Sequence, residues 1–125
     1  MKDAFVRLVE MAKMLRGENG CPWDKSRTLQ NLDEDLIEEA HEVLEALKNN
    51  DDENLREELG DLLFNIVLMG VIAEQEGKFT LKEVIEDISD KIERRHTWVF
   101  GDDVANTPEE ALAIWKENKE KEKNN

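Results

Sequence analysis

The chain has a single cysteine, Cys21, so no disulfide can form within it. A reducing cytoplasm is the compartment that suits such a chain. Turn-formers are scarce, with six Gly and two Pro in 125 residues. That argues against an all-β fold and its many tight reversals. No apolar run approaches the ~20 residues that a membrane-spanning helix needs, so no membrane partner is expected. Met1 to Leu15 is amphipathic and charged, without the apolar stretch of a signal peptide. Positive charge is also short: 17 Lys and Arg stand against 31 Asp and Glu, a net charge of −14. No surplus remains to neutralise a phosphate backbone, which argues against nucleic acid as a partner. Free nucleotides would be repelled as well, so a phosphate substrate needs a metal ion or a local basic patch.

What the chain does have is helical periodicity. Its length fits one domain over residues 1–125 with a modest core. About five helices are expected, in an all-α bundle. Phe5, Leu8, Ala12 and Leu15 mark the first, from about Asp3 to Arg16, with Gly17 as terminator. A loop follows over 17–25, barred from helix by two Gly and Pro22. Trp23 is expected to plug the core from this loop, and Cys21 to be a small buried residue. Thr28 opens a second helix that ends near Lys48. Asp51 or Asp52 caps the third, and Gly77 ends it. Thr80-Leu81-Lys82-Glu83 is a capping box for the fourth. Thr107, Pro108 and Glu110 open the last. The charged end, about residues 117–125, is expected to fray.

The second and third helices hold the densest pattern. Leu36, Ala40, Val43 and Leu47 form one apolar stripe, and Leu55, Leu59, Leu62 and Ile66 form the other. Asp35, Glu39 and Glu42 lie on one flank of the first stripe. Glu58, Asp61 and Asn65 lie on the flank of the same rotational sense on the second. Glu38 and Glu45 point away. The short break at 49–52 makes the two helices antiparallel neighbours, and reversing the second brings both flanks to one side. Glu39 and Asp61 mirror each other about Asn50, as do Glu42 and Glu58. Four carboxylates therefore converge as two facing rungs. An all-oxygen cage of this kind suits Mg²⁺ or Mn²⁺ rather than Zn²⁺, and a cation relieves the repulsion among them. The alternative is a solvated acidic face.

After Asp61 the third helix is apolar in nearly every direction, so it must be buried on several sides. That favours a homo-oligomer, a dimer or tetramer, whose interface uses this helix, with Phe64, Val67, Leu68 and Val71 largely buried. The alternative is a central helix wrapped by the rest of one chain. Lys91 and Arg95, four apart, sit at the margin of the fourth helix's apolar stripe. There they either pair with acids or meet phosphates. Lys25 and Arg27 are either phosphate contacts or simply solvated.

With these pieces in place, the chain resembles the MazG family of nucleoside triphosphate pyrophosphohydrolases over nearly its whole length. The likeness rests on Gly20-Cys21-Pro22-Trp23-Asp24-Lys25, on Glu39-x-x-Glu42, on Glu58-Leu59-Gly60-Asp61-Leu62-Leu63-Phe64, and on Asp90-Lys91-x-Glu93-Arg94-Arg95-His96. It implies an all-α fold with Mg²⁺ held by Glu39, Glu42, Glu58 and Asp61. The implied reaction cleaves between the α- and β-phosphates, giving a nucleoside monophosphate and pyrophosphate. It also implies phosphate contacts from Lys91 and Arg95, with Arg94 and Lys25 beside them, and a place near the nucleotide for Trp115. Glu38 or Glu39 would take the proton of the attacking water. No Ser-His-Asp or Cys-His arrangement stands in the chain, so a covalent intermediate is not expected. Two rival functions remain at this level. One is a non-catalytic acidic interaction module, and the other a narrow-specificity sister enzyme for a deoxypyrimidine triphosphate or a phosphoribosyl nucleotide.

Overall fold

The structure, a computed structural model, describes residues 1–124. Asn125, the end of the expected tail, lies outside the described residues. All regular structure among the described residues is helical: α1 (Lys2–Leu15), α2 (Pro22–Lys25), α3 (Asp33–Lys48), α4 (Asp52–Gln75), α5 (Leu81–Arg95), α6 (Thr97–Phe100) and α7 (Pro108–Lys123). The five long helices are those that the periodicity predicts. None is long and apolar enough to cross a membrane. Contacts divide the chain into two compact units, Met1–Leu81 and Lys82–Asn125.

In the first unit, α1 and α3 both pack on α4. One apolar cluster joins Ala12 of α1 to Val67, Val71 and Leu81, and a second joins Leu32, Leu68 and Ile72. Phe64 packs against both clusters. Val67, Leu68 and Val71 are buried, as expected, and the packing of one chain already buries them. Leu59 and Ile66, placed on the buried stripe by periodicity, are 49% and 44% exposed. Leu47 on α3 is exposed as well, while Ala46 beside it is buried. A helix that is apolar all round offers several equivalent faces, and the packing of α1 and α3 chooses among them.

Local signals explain the boundaries. At the end of α3, Asn50 takes a left-handed φ of 51°. Its N–H donates to Leu47 O at 3.3 Å, and that of Asp51 donates to Ala46 O at 3.1 Å. This pair of bonds closes the helix. The Asp51 carboxylate then accepts from Asn54 N at 3.1 Å and caps α4. Gly77, φ 71°, closes α4 in the same way. α3 starts at Asp33 instead of Thr28, because Thr28 and Asn31 satisfy each other. Thr28 N donates to Asn31 Oδ1 at 2.8 Å, and Asn31 N to Thr28 Oγ1 at 3.1 Å. Such local bonds compete with a helix. The 17–25 loop contains a helical turn after all. Pro22 stands at its first position, where a missing N–H costs nothing.

In the second unit α6 packs against α7. Thr107 Oγ1 accepts from Glu110 N at 3.1 Å, and Glu110 reaches back to Asn106 N at 2.7 Å. The charged end that is expected to fray continues α7 to Lys123. Its Glu122 is held by two arginines of α5.

Candidate functional site

The α3–α4 hairpin brings Glu39, Glu58 and Asp61 together. Each offers a carboxylate oxygen, and the three atoms lie within 4.8 Å of one another. Glu39 and Glu58 are half-buried, and Asp61 is exposed. Glu39 Oε2 is buried and has no hydrogen-bond partner among the described residues, a costly state for a polar atom. The electrostatics match. The Glu39 carboxyl is pushed above the usual carboxylate range, first by burial, then by the charges of Asp61 and Glu58. A proton shared with Glu58 and the charge of Glu38 add to the rise. Glu58 is raised by burial, then by the charges of Glu42 and Asp61, while the proton shared with Glu39 works the other way.

Glu42, the fourth member of the expected cage, is exposed and stands outside this group of three. Its charge still acts on Glu58. Glu38 is exposed next to Glu39. The donor set is all oxygen, with one buried oxygen left unpartnered, and it fits a hard divalent cation.

The other expected site residues are distributed as follows. Lys25 is exposed in the first unit and donates to Glu18 O at 3.1 Å. Lys91 in the second unit is exposed and makes no ion pair among the described residues. Arg94 and Arg95 both bind Glu122. Trp115 of α7 lies 5.4 Å from the Arg95 guanidinium and 5.3 Å from Lys119 Nζ. It also lines a cavity of about 440 Å³ with His96, Trp98 and Leu112.

Trp23 departs from expectation. It is 62% exposed, not a core plug, and the Arg27 guanidinium covers one face at 3.8 Å. Arg16 holds this loop in place of a buried aromatic. Its Nη1 donates to Arg27 O at 2.8 Å and to Asp24 O, and its Nε to Gln75 Oε1 at 2.8 Å. Glu122 is the residue that sequence reasoning missed. The spacing of Trp115, Asn118 and Glu122 along one face of α7 is the signal that could have found it.

Residues 27–100 match the sequence profile of the MazG nucleotide pyrophosphohydrolase domain. The chain belongs to this family. The matched MazG region contains Glu39, Glu58, Asp61, Lys91 and both arginines, and stops short of Trp115 and Glu122. Over 96% of its length the chain is 47% identical to "Uncharacterized protein YabN" of Bacillus subtilis (strain 168), of which it spans 24%. Over 94% it is 44% identical to the "Nucleoside triphosphate pyrophosphohydrolase" of Escherichia coli (strain K12), of which it spans 45%. The chain thus spans less than half of both curated relatives. The crystal structure of a mazG-related protein from Thermotoga maritima is similar in fold, with a TM-score of 0.77 at 36% identity. That match covers 91% of this chain and 97% of the other.

Proposed function

We propose that this MazG domain hydrolyses nucleoside triphosphates at the α–β phosphate bond, releasing a nucleoside monophosphate and pyrophosphate. The observation that carries the reading is the group of three carboxylates with the buried, unpartnered Glu39 oxygen. Glu39, Glu58 and Asp61 would hold Mg²⁺, with Mn²⁺ as a substitute, and Glu42 stands at the rim. When bound, the ion supplies charge neutralisation for phosphate oxygens and makes water easier to deprotonate. The protein's own residues supply the rest. Of the two candidate bases, Glu38 stands outside the group of three and is exposed. It is free to take the water's proton while Glu39 serves as a ligand. Lys91, Arg94, Arg95 and Lys25 supply positive charge for the polyphosphate, and Trp115 contacts the nucleotide. The working form is a homodimer or homotetramer in the cytoplasm.

The test is a panel of NTPs and dNTPs with Mg²⁺, scored separately for pyrophosphate and orthophosphate. Pyrophosphate as the first product is expected. Orthophosphate first would overturn the bond assignment. No turnover of any triphosphate would leave an acidic interaction module as the better reading.

A further inference from the structure

Arg95 is largely confined within the second unit, with a side chain only 13% exposed. Its Nε and Nη2 both donate to Glu122 Oε2, at 3.2 and 3.0 Å. Arg94 Nε donates to the other oxygen, Oε1, at 3.2 Å. One carboxylate therefore engages two guanidinium groups, one on each oxygen. These bonds, the Arg95 bond above all, hold the Glu122 carboxyl below the usual carboxylate range. α7 has ties besides Glu122. Asn118 Nδ2 donates to Arg95 O at 3.2 Å and to Thr97 Oγ1 at 2.9 Å. Glu110 and Thr107 close the other end of the helix.

Two guanidinium groups gripping separate oxygens of one oxyanion is also how arginines hold a phosphate. A carboxylate in that grip is a resident competitor. It carries one negative charge, so a ligand must offer more charge or more oxygens to displace it. We infer that Glu122 is a displaceable occupant of the phosphate-gripping face of Arg94 and Arg95, one that yields to a nucleoside triphosphate but not to a nucleoside monophosphate. The inference rests on the proposed phosphate role of Arg95 and adds to it. The monophosphate product would then find the arginines already taken, which favours its release. The cost to a displacing ligand is the fraction of time the arginines are free, and removing the competitor removes that cost.

The test measures binding by calorimetry with Mg²⁺ present. The ligands are a triphosphate with a non-hydrolysable α,β-methylene bridge and the corresponding monophosphate. The proteins are the unaltered chain, Glu122→Gln, Arg95→Ala and the double variant. Glu122→Gln should tighten triphosphate binding by at least about fivefold and monophosphate binding by less, because only the triphosphate has to displace Glu122. The gain should vanish when Arg95 is Ala. If Arg95→Ala weakens the triphosphate but Glu122→Gln changes neither ligand, Glu122 is a structural clasp and only this inference falls. If Arg95→Ala leaves triphosphate binding unchanged, the phosphate role of Arg95 falls and the inference goes with it. A second measurement needs no variant. The Glu122 side-chain carboxyl carbon, followed by NMR, should shift on adding the triphosphate analogue and stay in place with the monophosphate. Movement with neither ligand, or equally with both, would overturn the inference.

Discussion

Glu39 and Glu58 face each other across the α3–α4 hairpin, their carboxylate oxygens within 4.8 Å. A proton shared between them would raise Glu39 and lower Glu58. Neither has a basic partner among the described residues, so this pair is repulsive unless a proton or a cation joins it.

A cation should therefore stabilise the fold. At a hundredfold excess over its Kd, Mg²⁺ would add ~2.7 kcal/mol, enough to raise Tm by several degrees. Glu39→Gln and Asp61→Asn should abolish that rise and most of the turnover while keeping helix content. Glu45→Gln should keep both, because Glu45 is exposed and outside the group. Thermal melts with Mg²⁺ or EDTA decide, and an equal loss for Glu45 would show that the facing residues are misassigned.

The metal-free protein carries the opposite sign with pH. Glu39 and Glu58 hold protons more tightly in the folded chain than in the unfolded one. The folded state thus binds more protons, and their contribution worsens as pH rises through the carboxylate range. Glu122 is lowered, so its contribution is complete above the usual carboxylate value and is lost on acidification. Without Mg²⁺, Glu39→Gln should melt with the parent at low pH and above it near neutrality. A Glu39→Gln variant that melts lower than the parent at pH 7 in EDTA would contradict this.

Lys91 and Arg95 should separate in measurement. Either Ala variant should raise KM or lower kcat at least about tenfold, roughly 1.4 kcal/mol of transition-state binding. Only Arg95→Ala should also lower Tm, because it breaks the pair with Glu122, whereas Lys91 makes no ion pair among the described residues. If Arg95→Ala melts early yet turns over nucleotide normally, Arg95 is structural.

Assembly should run through apolar side chains that one chain leaves open. Leu59, Leu63 and Ile66 of α4 are exposed, while Val67, Leu68 and Val71 are not. Light scattering at micromolar concentration should give at least a dimer, and Ile66→Asp should shift the mass toward a monomer with the helices intact. A parent protein that scatters as a folded monomer would refute the assembly.

Gly20 should resist any side chain. A Cβ there would fall on the carbonyl oxygens of Leu15 and Met14, which are backbone and cannot move aside. Gly20→Ala should cost about 1–3 kcal/mol, the usual range for overpacking. Gly60, with nothing within 4 Å of a Cβ, should accept Ala and gain up to about 1 kcal/mol of helix propensity. Urea titrations of the two variants would show the contrast.

Much of this protein was legible as a chain of letters. Asp51, Gly77 and Thr107 mark helix ends because capping is settled within a few residues. The meeting of Glu39, Glu58 and Asp61 was legible because a short turn at Asn50 sets the heights of facing residues. Glu42 is close enough for its charge to raise Glu58, as the height match implies, though its carboxylate stands outside the group of three. The start of α3 was misplaced because Thr28 and Asn31 bond to each other first.

What the sequence determined by itself is therefore local: where helices begin and end, which acids share a flank, and that the bundle is all-α. Tertiary structure decided which apolar face of α4 is covered, that Trp23 lies outside, and that Glu122 meets Arg94 and Arg95. Periodicity names a face, but burial belongs to the pair of elements that meet. The proton affinity of Glu39 likewise depends on water removed by packing and on charges carried by another helix.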